Sequence, residues 1–302
     1  MKKVRLLAVV VCVMAVVNVA LADTIRGINI DFVTIGNAGN TGDTRTGTDP
    51  WVNNPLANPY GCGAVSYDYR IGKYEVTNAQ WNTFTTAAGV PTGNPSNAYD
   101  QSASYTGAQQ PTNGISWYEA AQFCNYLTSG NKGLGAYQLG GNGSITVNRA
   151  AAVSAYGTIY VIPTEDEWYK AAYYKPDGSG YSLYANGTNT APTAGVQSNY
   201  NRAIGAPWNI TNGTQEQNGT FDMMGNVWEW NETLLYGSYR GIRGGSCSSD
   251  YEGYLRSSFR HYNYPDTEGS QLGFRVASVP EPASAAIMTL AGLLIALKRK
   301  QR

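Results

Sequence analysis

The chain has 302 residues, and its 21 basic and 21 acidic side chains cancel to zero net charge. Seven basic residues and one acidic residue lie in the two end segments, so the body at 23–278 keeps 14 basic and 20 acidic residues, a net charge of −6. This mildly acidic body argues against nucleic-acid binding, which requires a basic face. His261 is the single histidine, which excludes a structural zinc site, an iron site with several histidines, and a Ser-His-Asp triad built elsewhere.

The N-terminal segment, residues 1–22, has the three parts of a secretory signal peptide. Three positive charges within the first five residues precede an apolar stretch from Leu6 to Val17, and the small-x-small sequence Ala20-Leu21-Ala22 follows. The apolar stretch is shorter than the ~20 residues that a membrane span requires. These features predict cleavage after Ala22. The alternative is an uncleaved anchor helix.

The body reads as short strands and helices separated by long loops. Apolar alternation predicts a first strand at 28–35, and a long loop follows it up to residue 66. Further strands are expected at 69–76 and 159–163, and the last third favours short strands and turns. Segments rich in Gly, Asn and Ser predict loops at 90–110, 130–158 and 175–220.

Three helices are predicted from one shared signature. Thr77, Ser116 and Thr164 each stand three residues before a Gln or Glu and open an apolar pattern. This is a capping box, in which the hydroxyl accepts a backbone N–H three residues on and the Gln or Glu reaches back. Gly89 and Gly130 lie where the first two helices should end. The sequence therefore predicts an irregular α+β domain with little regular structure.

Six motifs then follow one another in a recognisable order. They are YRIGKYEVTNAQWNTF, PTNGISWYEAAQFCNYL, VIPTEDEWYKAA, GTFDMMGNVWEW, RGGS and GFRVA. This order resembles the sulfatase-modifying-factor family, also called the formylglycine-generating enzyme family, from about residue 27 to 278. The resemblance implies a loop-rich α+β fold of the formylglycine-generating enzyme type, similar to an elaborated C-type-lectin domain.

The resemblance also implies an oxidase that binds copper through two cysteines placed soon after the GGS block. The first of these positions corresponds to Ser249, and the second falls between Glu252 and Tyr254. Neither position is a cysteine, and Cys247 lies two residues too early. Because a near-linear Cu(I) site requires two soft thiolates, copper is not expected here. Cys247 is the one candidate catalytic residue that remains.

Three cysteines belong to the body, namely Cys62, Cys124 and Cys247. Three is an odd number, so at most one internal disulfide can form. The export signals place the domain where thiols tend to be oxidised. The sequence leaves open whether Cys62 pairs with Cys124 or with Cys247.

Calcium is the cofactor that the resemblance implies, since family members bind this ion in the GNVWEW block. Two carboxylates and several backbone carbonyls of one tight turn suit the preference of Ca²⁺ for hard oxygen ligands. The implied ligands are Asp222, Met223, Gly225, Val227 and Glu229, with Asn199 at a second site. The alternative is that Asp222 and Glu229 cap turns and hydrogen-bond to neighbouring indoles.

A ligand groove is implied for the segment between the last two motifs, with Tyr251, Tyr254 and Tyr262 as its candidate residues. A loop rich in Tyr, Ser and Asp is typical of adaptable recognition surfaces. The alternative is a solvated loop. Trp228 and the other motif tryptophans are interpreted as core residues, with a sugar-stacking platform as the alternative.

The C-terminal segment, residues 279–302, resembles a PEP-CTERM sorting signal. It contains Pro280-Glu281-Pro282, an apolar run at 283–297 and a cluster of basic residues at the end. The resemblance implies an exosortase-type sorting protease as a partner. It also implies transient anchorage of the tail in the membrane as a short hydrophobic helix, before delivery to the envelope.

Taken together, these features predict an exported, non-catalytic binding or structural module of the cell envelope or exopolysaccharide matrix. An envelope polysaccharide or another exported protein is its expected ligand, and no nucleic-acid partner is expected. The alternative is a formylglycine-generating-type oxidase that acts on the cysteines of exported proteins.

Overall fold

The computed structural model describes residues 21–45 and 61–279. Apart from residues 21, 22 and 279, the predicted signal peptide and sorting tail lie outside the described residues. In the part of the chain that is described, none of the helices has the length and apolarity that a membrane crossing requires.

The described residues form two larger sheets, a two-stranded hairpin and four α-helices, whose labels follow chain order, together with two short 3-10 helices at Ser96–Tyr99 and Glu252–Leu255. The main sheet has five strands, in the spatial order Leu21–Ile25 (β1), Ile28–Ile35 (β2), Tyr69–Gly72 (β3), Ala277–Val279 (β11) and Ile159–Val161 (β6). The second sheet has four strands, in the order Leu272–Gly273 (β10), Trp228–Leu235 (β7), Tyr239–Arg243 (β8) and His261–Asn263 (β9). Tyr137–Leu139 (β4) and Ile145–Val147 (β5) form a separate hairpin. The helices are Asn78–Ala88 (α1), Trp117–Ser129 (α2), Arg149–Tyr156 (α3) and Glu165–Tyr173 (α4).

The interior is divided into two hydrophobic clusters. The first contains buried side chains of α1, α2, the main sheet and β7, among them Phe84, Trp117 and Trp230. The second surrounds α4 and contains Trp168 and Tyr169. Because aromatic side chains bury much area each, they dominate both clusters. The mixed α+β, loop-rich fold predicted from the sequence is confirmed.

The three capping boxes are present as the sequence predicts. At α1, the Thr77 hydroxyl accepts the Gln80 N–H at 3.2 Å, and the Gln80 side chain accepts the Thr77 N–H at 2.8 Å. The same reciprocal pair opens α2 and α4. Gly89 and Gly130 directly follow α1 and α2, and Gly130 adopts the left-handed conformation that favours glycine.

The predicted loop at 130–158 is wrong in part, because it contains the β4–β5 hairpin and α3. The Asn148 side chain caps α3 by accepting the Ala151 N–H at 3.0 Å. Arg149, the first residue of α3, then binds the carboxylates of Glu167 at 2.8 Å and Glu232 at 3.0 Å. The helix is therefore fixed by partners distant in sequence, which the Gly- and Asn-rich flanks of the segment do not reveal.

Strand β1 extends across the predicted signal-peptide cleavage point. It pairs antiparallel with β2, with Leu21 opposite Phe32. Cleavage after Ala22 would leave Asp23 and the two following residues in this strand. Asp23 would keep its 2.6 Å ion pair with Arg70 of β3, so the new terminus would stay attached to the sheet.

The capping carboxylates of α2 and α4 lie in opposite electrostatic environments. Burial, reinforced by the Glu268 carboxyl and opposed by a 2.9 Å hydrogen bond from the Ser116 N–H, raises the pKa of Glu119 to about 9. Burial also acts on Glu167, but the Arg149 guanidinium outweighs it and holds the pKa of Glu167 below its usual value. At neutral pH, Glu119 therefore keeps a proton in the folded protein and releases it on unfolding. Glu167 stays ionised in the folded protein at acidic pH values where the unfolded chain already binds a proton there.

We predict that Glu119→Gln stabilises the domain at pH 8 by about 1 kcal/mol or more, since Gln keeps the capping box and removes the titration. In the wild type, the contribution of Glu119 to the free energy of unfolding falls as pH rises from about 4.5 to about 9. The variant should flatten that part of the profile, measured by urea unfolding at several pH values. Glu167→Gln is the matched control and should instead lose about 3 kcal/mol at pH 8. Equal destabilisation by both substitutions would contradict this account.

Candidate functional site

The GNVWEW block leads into β7 and carries a buried ion pair. Glu229 is fully buried, and its carboxylate accepts 2.6 Å hydrogen bonds from Nε and Nη2 of Arg275 and a 2.8 Å bond from the Trp168 indole. Arg275 also donates to the carbonyls of Gly72 at 2.9 Å and Phe221 at 2.8 Å. Both charges are thus paired and hydrogen-bonded, which burial of ions requires.

The second carboxylate of the block, Asp222, also binds an indole. Its Oδ1 accepts a 2.9 Å hydrogen bond from Trp208 Nε1, while its Oδ2 is buried without a partner. Burial raises the pKa of Asp222 well above its usual value, against the hydrogen bond from Trp208. Asp222 and Glu229 therefore both bind indoles, the arrangement that the alternative interpretation of the sequence describes.

Asn199, which the sequence assigns to a second calcium site, lies against the same block. Its backbone carbonyl accepts the Asn226 N–H at 2.8 Å, and it forms an isolated parallel bridge with Gly225. Its Nδ2 donates to the Asn226 side chain at 3.1 Å, and its Oδ1 is buried without a partner. The structure therefore joins residues that the resemblance assigns to separate sites. Gly225 has a φ of +86°, and a Cβ there would stand 2.4 Å from the Asn199 carbonyl oxygen, so only glycine fits.

The donors of this block do not fit a calcium ion. Ca²⁺ takes six to eight oxygen ligands, whereas both oxygens of Glu229 face the Arg275 guanidinium. The unpartnered oxygens of Asp222 and Asn199 are two donors, fewer than the ion requires. Among the described residues, no group of three or more His, Cys, Asp or Glu side chains is arranged to hold a metal. The resemblance also implies the backbone carbonyls of Met223, Gly225 and Val227 as ligands, and thermal unfolding with and without calcium tests the full set.

Cys247 is buried and lies outside both hydrophobic clusters. Burial, reinforced by the Glu75 carboxyl, raises the pKa of its thiol to about 11. The thiol is therefore protonated at neutral pH, whereas the thiolate is the form that binds metal or attacks a substrate. Its backbone is held by a 2.8 Å bond from its N–H to Asn226 and a 2.9 Å bond from the Arg202 N–H to its carbonyl.

The position that corresponds to the first copper ligand belongs to a tight serine turn. The Ser249 hydroxyl accepts the Ser246 N–H at 2.9 Å, and the Ser249 N–H donates to the Ser246 carbonyl at 3.0 Å. All three cysteines in the described chain are free, so neither disulfide left open by the sequence forms. Cys124 belongs to the first cluster and Cys62 to the second.

The tyrosines predicted for the ligand groove fall into two ring clusters. The Tyr254 ring lies 6.1 Å from the Trp228 indole, and the Tyr251 ring lies 6.0 Å from that of Tyr254. Tyr262 instead packs at 4.6 Å against Tyr239, in a cluster that also contains the exposed Tyr236 and Tyr264. His261 joins the clusters, since its ring lies 5.7 Å from both Trp228 and Tyr262.

A cavity of about 390 Å³ lies beside Trp228 and His261, and none of the predicted tyrosines lines it. Its polar side chains are those of His261, Asn263, Ser270 and Gln271, and Trp228 forms an aromatic wall. Trp228 is half-buried and not enclosed in the core. Sequence reasoning missed the amides because strand pairing brings them to the tryptophan: β10 pairs with β7 next to Gln271, and β9, which carries Asn263, pairs with β8. Their own spacing carries no signal.

Comparison with protein families gives the identity of the domain. Residues 40–279 match the profile of the sulfatase-modifying factor enzyme 1-like domain. The chain belongs to this family. The family resemblance expected from the six motifs is confirmed. The serine turn and the cavity described above therefore belong to this chain's sulfatase-modifying factor domain.

Solved structures agree with this assignment at the level of fold. Treponema denticola variable protein 1 superimposes with a TM-score of 0.62 at 22% identity, over 87% of this chain and 99% of that one. PvdO from Pseudomonas aeruginosa gives a TM-score of 0.61 at 16% identity, over 86% of this chain and 98% of that one.

A relative found by sequence is the chaperone protein LppX of Paenibacillus barcinonensis. It is 28% identical over 187 residues, which cover 54% of this chain and 61% of LppX.

We predict that removing either partner of the buried ion pair destabilises the domain by about 3–5 kcal/mol, since it leaves an unpaired buried charge. Glu229→Gln and Arg275→Met are the test variants, measured by urea unfolding. Asp23→Asn breaks the half-exposed pair with Arg70 and should cost at most about 1 kcal/mol. Similar losses of stability in all three variants would show that burial of the Glu229–Arg275 pair is not the cause of the destabilisation.

We also predict that calcium leaves the unfolding temperature unchanged, because the arginine already neutralises Glu229. Thermal unfolding in millimolar calcium chloride is compared with unfolding in EDTA. A rise in the wild type that Asp222→Asn abolishes would contradict this prediction, and it would restore the calcium site implied by the sequence.

Proposed function

We propose that this sulfatase-modifying factor domain is a non-catalytic ligand-binding module. The observation that carries the proposal is the contrast between two neighbouring features. Ser249 and a buried, protonated Cys247 occupy the region where family oxidases hold copper. Beside them, the cavity at Trp228 stays open and is lined by polar groups that can bind a ligand.

Oxidation of a substrate cysteine is the alternative activity, and the described residues supply little of what it needs. A Cu(I) site requires two thiolates. The thiol of Cys247 has a raised pKa, and the other two free cysteines are buried in separate hydrophobic clusters. His261 is the single histidine of the chain, and one imidazole does not replace the missing second thiolate.

Export supports a binding role at the cell envelope or in the exopolysaccharide matrix. The signal-peptide pattern at 1–22 and the tail at 279–302 are the features that support it. An exosortase-type protease would recognise the tail while its apolar run holds the chain in the membrane. The mature body would then meet envelope polysaccharides and other exported proteins.

A binding screen tests this proposal. The purified full chain is screened against envelope glycans and exported proteins, with Trp228→Ala as the cavity variant and Trp81→Ala as a matched tryptophan outside the cavity. We expect at least one ligand that binds the wild type and is lost only in the cavity variant. A screen without any ligand would remove the binding role.

A further inference from the structure

We propose that the cavity beside Trp228 binds a neutral saccharide unit, held by the indole and by the side-chain N–H groups of Asn263 and Gln271. The inference rests on the proposed binding function and names the class of its ligand. It follows from three properties of the cavity, namely the orientation of its amides, the position of its aromatic ring and the absence of formal charge on the other lining side chains.

The first property is that both amides have their oxygen atoms already occupied. Gln271 Oε1 accepts hydrogen bonds from the hydroxyls of Ser246, at 3.0 Å, and Ser248. Asn263 Oδ1 accepts the Tyr264 N–H and the Thr267 hydroxyl, both at 3.1 Å. The Tyr264 backbone N–H can only donate, so it fixes which end of the Asn263 amide is the oxygen. The two serine hydroxyls hold the Gln271 amide with its oxygen toward them. The Nε2 and Nδ2 groups, which have no partner among the described residues, remain as donors for a ligand.

The second property is that the aromatic wall is fixed next to one of these donors. The backbone N–H of Trp228 donates to the backbone carbonyl of Gln271 at 2.8 Å. Strand β7 pairs with β10 so that Trp228 stands opposite Leu272. The rings of Phe259 and His261 support the indole at 6.1 and 5.7 Å. A ring and directed hydrogen-bond donors on one wall can orient a ligand that has an apolar face and polar edges.

The third property is charge. Among the side chains that line the cavity, His261 is the only titratable one, and no Asp, Glu, Lys or Arg lines it. The lining therefore offers no acidic side chain and no Lys or Arg that would select a charged ligand. A neutral ligand needs no such counter-ion.

A sugar ring combines all that the cavity requires. Its hydroxyl and ring oxygens accept from the two amides, and its C–H face can pack on the indole. A peptide fits less well, because its backbone N–H groups need acceptors and both amide oxygens are already bonded. The chemistry therefore favours a neutral saccharide over a peptide.

Two isosteric substitutions test the donors without disturbing their surroundings. Asn263→Asp and Gln271→Glu each keep an oxygen that accepts the internal hydrogen bonds, and each replaces the free N–H₂ with a second oxygen. Asn82→Asp is the matched control, since Asn82 is an exposed amide of α1 outside the cavity. Trp228→Leu removes the ring and serves as an additional variant if a new carboxylate prevents folding.

Calorimetric titration of the full chain measures binding of a neutral glucose oligosaccharide, an N-acetylhexosamine oligosaccharide, a uronate oligosaccharide and an extended peptide. We expect binding of a neutral oligosaccharide that weakens about tenfold or more in Asn263→Asp, Gln271→Glu and Trp228→Leu, and is unchanged in Asn82→Asp. Binding of only the uronate or the peptide would overturn the ligand class and leave the proposed function standing. Neutral binding that the cavity variants do not weaken would overturn the site. Absence of binding to any probe, together with an empty screen, would overturn the function as well.

Discussion

The ion pair between Glu229 and Arg275 is the interaction on which the rest of this structure depends. It connects β7 to the segment before β11, to Trp168 of α4 and to the carbonyl that ends β3. Side chains alternate along a strand, so fixing Glu229 on one side directs its two neighbours, Trp228 and Trp230, to the other. Trp230 is buried in the first cluster, and Trp228 reaches the cavity. The ion pair on one side of β7 therefore positions the indole that lines the cavity on the other side.

An internal cation, the Arg275 guanidinium, thus pairs with a carboxylate that the family resemblance assigns to a metal. Glu229 was correctly singled out by its motif, but its partner lies 46 residues further along the chain. No local pattern marks Arg275 as that partner, because arginine in a GFR motif is equally consistent with a surface position. The sequence alone could not decide between an ion and a guanidinium, since both satisfy the same carboxylate.

Local features were predictable and distant pairings were not. The capping boxes at Thr77, Ser116 and Thr164 depend on residues three apart, so the sequence contains all the information needed. Helix α3 was missed because Glu167 and Glu232 stabilise its first residue from elsewhere. Dependence on partners distant in sequence also explains why the cavity residues were missed. Tyr262 was assigned to the groove by its residue type, whereas strand pairing brings Asn263 and Gln271 to the cavity.

A fold does not determine an activity, because function resides in particular side chains. Here the thiolates are absent from the expected positions while a neutral cavity lies beside them. The central claim is that Cys247 is not a copper ligand. Anaerobic titration of the full chain with Cu(I) against a competing chelator tests it most directly. We expect no stoichiometric binding, and the same result for Cys247→Ser. Tight one-to-one binding that Cys247→Ser abolishes would contradict the claim and return the domain to the oxidases of its family.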